Sequence, residues 1–181
     1  MSHDQHEAGH HHHTNQAGTP TDRVPIRAAV ITVSTTRTRT DDRSGRTATD
    51  LLAAAGIGVV FYRIVADRED AIQAALQEAL TEADCIILNG GTGLTPDDCT
   101  IEAVKPLLEK EMPGFGELFR QKSIAEVGTA VILSRATAGI ISGRAIFCIP
   151  GSTKAVRLAV EDIIIPEIRH ILAHAAPRRE S

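Results

Sequence analysis

The stretch LNGGTGLTPDDCT, Leu88 to Thr100, places Gly90, Gly91, Thr92 and Gly93 after an apolar run and just before two adjacent aspartates. Glycines at this density let the backbone approach a ligand and turn successive N–H groups inward as an anion nest, and the Thr92 hydroxyl adds a donor. A tight strand-to-helix turn would use the same residues. The loop is not a Walker A sequence, because no Gly-Lys-Ser/Thr follows, and Pro96 stands where a dinucleotide fingerprint needs its third glycine. Asp98 follows this loop, and Asp67 follows a second apolar run. Either could simply cap a helix. Beside bound phosphate, the two together could hold Mg²⁺, which takes one or two carboxylates plus phosphate oxygens.

Two further loops carry polar chemistry. Pro150-Gly151-Ser152-Thr153-Lys154 precedes a helix, where free N–H groups, hydroxyls and a lysine suit an anion. A plain Ser/Thr N-cap explains it equally well. The segment STTRTRTDDRSG, Ser34 to Gly45, is too polar for a core, and Arg37, Arg39, Arg43 and Arg46 could grip phosphate or simply be solvated. No Ser/His/Asp set stands out. Beyond the first residues the only histidines are His170 and His174, and Cys99 has no neighbouring histidine to make it a nucleophile.

These loops need a frame, and the pattern supplies one. Ile26–Ser34, Val59–Val65 and Cys85–Asn89 are apolar runs of the kind that form buried parallel strands. Between them lie SGRTATDLLAAAG, with Ser44 as cap and Gly56 as stop, and an amphipathic segment with Ile72, Ala75, Leu76 and Leu80 on one face. A helix is expected over Thr100–Glu109 and a short one after Pro113. GIISGRAIF reads as a hairpin turned at Ser142-Gly143, and the strand Ala145–Ile149 leads into a long helix kinked or broken at Pro166. The alternation predicts an α/β fold with a mainly parallel, mixed sheet, whose ligands bind beyond the carboxyl ends of its strands.

Composition narrows the function. The 181 residues are 43% hydrophobic but only 3% aromatic, which suits one domain with an aliphatic core and disfavours stacking on single-stranded nucleic acid. Net charge is -4, and Asp4, Glu7 and Asp22 precede the first basic residue, so the body is near neutral and no bulk field points to nucleic acid or membrane. Three cysteines without close pairing, no signal-peptide core and no 18-residue apolar run fit a cytoplasmic protein. Residues 1–24 are polar and His-rich and are expected to be a disordered tail. The domain is expected over 25–176, with 177–181 a polar end. Leu107, Leu108, Phe115, Leu118 and Phe119 are more apolar surface than one body of this size needs, so an oligomer is expected.

GGTGLTPDDCTIEAVKPLLEKEMPGFGELFR, then ILSRA, then IPGSTKAVRLA form an ordered set that resembles the MogA/MoaB family of molybdenum cofactor biosynthesis proteins. TDDRSG, GTGLT and PGSTKA look closest to its MoaB branch, and the resemblance runs from Arg27 to about Leu172. It implies a three-layer α/β/α sandwich assembled as trimers or hexamers. It also implies a pocket for molybdopterin, whose terminal phosphate attacks the α-phosphate of Mg-ATP to give adenylylated molybdopterin and pyrophosphate. By motif, Asp67 and Asp98 match the essential acids, with Asp98 a metal ligand or an orienting group. Gly90 to Gly93 match the phosphate loop. Ser34, Ser134, Pro150, Gly151, Ser152 and Lys154 match parts of the pterin and phosphate pocket. Thr35, Asn89 and Asp97 depart from the common pattern, which often has Asp, Thr and Arg there, and an acid at 97 would repel phosphate. They point to the other reading, a paralogue that binds molybdopterin or nucleotide without catalysis. A pterin-dehydrating enzyme would want a histidine cluster that the body lacks.

Overall fold

A computed structural model describes residues 24–176. The expected tails lie outside these residues, apart from Val24. Six strands form one sheet: β1 (Arg27–Val33), β2 (Gly58–Val65), β3 (Cys85–Asn89), β4 (Lys110–Glu111), β5 (Thr137–Ile141) and β6 (Arg144–Ile149), in the order β2-β1-β3-β6-β5-β4. The first four in that order are parallel, and β5 and β4 run antiparallel at one edge. The hairpin between β5 and β6 turns at Ser142 (φ 48°) and Gly143 (φ 75°), the two successive positive φ values that a tight primed turn requires.

Helices cover both faces, because the central strands are apolar on both. On one face Ala28, Val30, Ile87 and Phe147 pack against α1 (Arg43–Ala54), α4 (Pro113–Val127) and the C-terminal helix. On the other, Ala29, Ile31, Ile86 and Leu88 pack against α2 (Glu69–Glu82) and α3 (Thr100–Val104). The result is the expected α/β/α sandwich. Ile72, Ala75 and Leu76 are buried as their spacing predicted, with Leu80 at the margin.

Four elements depart from the sequence reading, each for a local reason. Asp42, not Ser44, caps α1: its carboxylate accepts the Gly45 N–H, while Ser44 is buried and bonds elsewhere. The helix expected to Glu109 ends as α3 at Val104 and passes into a 3₁₀ turn, Lys105–Leu107, because Pro106 cannot donate. The helix after Pro113 is a full 15 residues, with the proline at its first position, where its missing N–H costs nothing. Pro166 does not break the last helix. α5 (Thr153–Ala159) and α6 (Ile165–Ala175) join through a π turn, Val160–Ile164, whose wider winding accommodates the proline ring just after it. Phe115 and Phe119 belong to the core, whereas Leu107 and Leu118 stay exposed.

Candidate active site

Strand register builds the site. Thr32 pairs with Asn89, Asn89 with Ile149, and Val33 with Val65, so four strands end side by side and their loops emerge together. Between them lies a cavity of about 470 Å³, lined by Ser34, Arg37, Asp67, residues 90–93, Asp98, Ser134, Arg135, Pro150 and Gly151, among others. A larger apolar cavity of about 610 Å³ lies at the opposite end of the strands, by Ile26, Asp84 and Arg144. Loop chemistry and the carboxyl-end position single out the smaller one.

The glycine loop is shaped by what presses on it. Gly90 (φ 101°) and Gly91 (φ 59°) adopt conformations that side chains rarely take. A β-carbon at Gly90 would strike the Val33 carbonyl, and one at Gly91 would strike the Thr100 hydroxyl and come 3.0 Å from Asp67 Oδ1. One at Gly93 would meet Asp98 Oδ2 at 2.6 Å. The carbonyls of this loop are all engaged: Gly90 O accepts from Thr100 Oγ1 (2.8 Å), Gly91 O from Thr100 N (2.9 Å) and Thr92 O from Arg135 Nε (2.9 Å). In a trans peptide the next N–H points opposite its carbonyl, so the Gly91 and Thr92 N–H groups point away from Thr100 and could serve an anion.

Both acids reach this loop, and both are held in the same way. Asp67 Oδ2 accepts from Thr35 N (2.7 Å) and Thr35 Oγ1 (2.8 Å). Asp98 Oδ2 accepts from Thr95 N (2.9 Å) and Thr95 Oγ1 (2.6 Å). The Thr95 hydroxyl, with help from the Thr95 and Gly93 N–H groups and Arg135, holds the Asp98 carboxyl below its ordinary value, so it is ionised at neutral pH. Each carboxylate keeps Oδ1 without a threonine donor. The pair are hard oxygen donors of the kind that suits Mg²⁺, an ion that also takes phosphate oxygens. Among the described residues no three His, Cys, Asp or Glu side chains form a self-sufficient metal cluster.

Arg37 alone of the four loop arginines lines this cavity. Its Nη1 donates to Ser44 Oγ (2.6 Å), its Nη2 to Gly151 O (3.1 Å), and Asp42 Oδ1 lies 3.6 Å away. Arg39 instead stacks over Tyr62 at 5.1 Å, Arg46 bonds Thr40 O, and Arg43 is exposed. Asp42 is fully buried and accepts from Thr32 and Tyr62 hydroxyls, both at 2.5 Å. Burial alone would raise its pKa, but hydrogen bonds from Thr32, Tyr62, Gly45 and Ser44 outweigh that and leave it lowered. Burial, with the Asp42 bond and charge, pushes the Tyr62 phenol up to about 12, so it remains a donor.

Not every anticipated residue reaches the cavity. Ser152 caps α5 through the Ala155 N–H (3.2 Å), the plainer of its two readings, and Lys154 is exposed outside the lining. Asp97 is exposed and also outside the lining. Asn89 is buried and joins three elements: Nδ2 donates to Thr32 Oγ1 (2.9 Å) and Oδ1 accepts from Ser44 Oγ (2.8 Å). Arg135 was not anticipated. It clamps Glu102 through Nη1 and Nη2 and holds Thr92 O through Nε, and only its place in SRA hinted at it.

A glycine loop at the carboxyl edge of a parallel sheet, flanked by two set carboxylates and two arginines, is the arrangement that an α/β protein would need to take a phosphate ester. Comparison with known proteins narrows this further. A family model described as a probable molybdopterin binding domain matches residues 29–170. "Molybdenum cofactor biosynthesis protein B" of Halalkalibacterium halodurans is 51% identical over 150 residues, 81% of this chain and 88% of that protein. A crystal structure of a molybdenum cofactor biosynthesis protein B superposes with TM-score 0.81 at 44% identity, covering 84% of this chain and 96% of the other. The tungsten cofactor synthesizing protein MoaB from Pyrococcus furiosus gives TM-score 0.77 at 43% identity over 83% and 97%. The chain belongs to the molybdopterin-binding family of molybdenum cofactor biosynthesis proteins.

Proposed function

We propose that this protein acts in molybdenum cofactor biosynthesis by adenylylating molybdopterin. Its substrates are molybdopterin and Mg-ATP, and its products are adenylylated molybdopterin and pyrophosphate. The observation that carries this reading is the pair Asp67 and Asp98, each fixed by a threonine and each pressed against the Gly90–Gly93 loop.

The terminal phosphate of molybdopterin attacks the α-phosphorus of ATP. A new P–O bond forms as the bond to the β-phosphate oxygen breaks, and pyrophosphate leaves. Such transfer needs positioning and charge neutralisation more than covalent help. The Gly91 and Thr92 N–H groups receive phosphate oxygens, and Arg37 and Arg135 supply positive charge at two sides of the cavity. Ser34, Ser134, Pro150 and Gly151 form the remaining wall against which the pterin end is placed. Asp67 and Asp98 would hold Mg²⁺, which when bound offsets the charge of the phosphates. The active assembly is a trimer or hexamer.

Thr35, a hydroxyl where related chains often carry an acid, favours a second reading in which the same cavity binds molybdopterin or nucleotide without turnover. One assay separates them. Purified protein with molybdopterin, ATP and Mg²⁺ yields adenylylated pterin and pyrophosphate, and Asp67→Ala and Asp98→Ala each lower kcat by at least about a hundredfold. Pterin bound by wild type with no pyrophosphate released would leave a binding protein and end the catalytic reading.

A further inference from the structure

Thr35 does not line the cavity, yet it makes three hydrogen bonds with the residue that does. The reason lies in the register. Val33 pairs with Val65, and the Ser34 N–H continues the ladder to Val65 O at 2.8 Å. Two residues further on, Thr35 therefore stands beside Asp67. Its N–H and hydroxyl both donate to Oδ2, and its hydroxyl oxygen accepts the Asp67 N–H at 3.3 Å. A carboxylate accepts only, so the single hydroxyl proton must point to Asp67, and the hydroxyl lone pair is left to take the N–H. The ring of bonds has one polarity and one geometry.

From this we infer that Thr35 is the positioning residue for Asp67: it holds one carboxylate oxygen so that Oδ1 is presented to the glycine loop, 3.0 Å from where a Gly91 β-carbon would stand. Asp98 has the same pair of bonds, but from Thr95 in its own turn, where Asp98 N also donates to Thr95 O at 3.0 Å. One acid is set locally. The other is set by a residue from a neighbouring strand's loop, so its aim depends on how β1 and β2 are paired. An unprotonated acid at position 35 could not supply the hydroxyl bond.

The kinetic consequence rests on the adenylylation reading, whereas the structural one does not. The test is therefore a crystal structure and a turnover assay for Thr35→Val and for Thr35→Ser, beside wild type. Position 35 is exposed, so both variants keep the wild-type Tm within a few degrees. Thr35→Ser keeps the Asp67 carboxylate in place, and in Thr35→Val it rotates away from the residue 35 N–H. Thr35→Val loses about tenfold to a hundredfold in kcat with KM for ATP little changed, raises the half-saturating Mg²⁺ concentration, and Thr35→Ser recovers most of both. An Asp67 carboxylate unmoved in Thr35→Val overturns the inference, as does a serine variant as impaired as the valine. If wild type makes no product, the adenylylation reading fails alone, and the carboxylate positions in the two crystal structures still decide the role of Thr35.

Discussion

Gly91 and Gly93 are separated by one residue but constrained differently, which makes them a sharp pair for mutation. Gly91 has φ 59° and no room toward Thr100. Gly91→Ala is expected to cost about 2 kcal/mol of stability through backbone strain and overpacking, and to abolish turnover. Gly93 lies outside the left-handed region, and its β-carbon would meet the Asp98 carboxylate. Gly93→Ala should unfold in denaturant within about 1 kcal/mol of wild type while losing turnover at least about tenfold, since the displaced group is a site acid. Equal stability losses in the two variants would refute the distinction. At this scale the position of the glycine loop and of both acids at one sheet edge could be read from the chain, because each follows an apolar run, while a catalytic role for the acids came only from the resemblance. Arg135 could not, since its partner Thr92 O is 43 positions away and only the fold brings the two together. Ser152 carried two meanings in sequence, and in the fold it caps α5 through the Ala155 N–H.

Beneath the cavity, β1, α1 and β3 are joined by a buried polar knot of Thr32, Asp42, Ser44 and Asn89 rather than by apolar packing alone. Arg37 reaches from that knot to Gly151, so the loops after β1 and β6 share one guanidinium. Because the folded pKa of Asp42 is depressed below its ordinary 3.8, its contribution to stability is present above that value and lost as pH falls through the lower folded one. Asp42→Asn is expected to be about 3 kcal/mol less stable than wild type near pH 7, since it leaves Arg37 and several donors mismatched. The gap should narrow as pH drops below about 4, which thermal unfolding from pH 3 to 7 would measure, and a gap constant across that range would refute it. Apolar runs made β1, β2, β3 and β6 legible. The cap was misassigned because Ser44 and Asp42 are both good caps, and only burial of Ser44 against Asn89 decides between them. β4 was not foreseen: Lys110–Glu111 has no apolar pattern and exists only because β5 offers it an edge.

Viewed whole, the molecule leaves apolar side chains outside its two cores, and one such side chain, that of Leu133, lines the cavity. Ile132 is 80% exposed and Leu94 66%, with Leu133, Ile124 and Val127 also in the open. Of the residues the sequence had suggested, Leu107 and Leu118 are exposed as well, whereas Phe115 and Phe119 are core. If this surface is covered in the proposed trimer or hexamer, Ile132→Glu with Ile124→Glu should shift sedimentation at micromolar concentration from the assembly toward monomer. An unchanged sedimentation coefficient would place the contact elsewhere. No helix among the described residues is long and apolar enough to cross a membrane.

The strand order has a consequence for how the protein is made. β3 is finished at Asn89, but the neighbour that closes its free side, β6, begins only at Arg144. During synthesis β1, β2 and β3 can pair early, leaving an apolar edge unmatched while more than fifty further residues emerge. The glycine loop and both acids are then already present, but the wall formed by Pro150 and Gly151 is not, and Arg37 has no Gly151 carbonyl to reach. A nascent chain is thus most exposed to wrong pairing just when the glycine loop and both acids are present but not yet arranged as a site. Chains stalled before Arg144 should be the ones that chaperones hold.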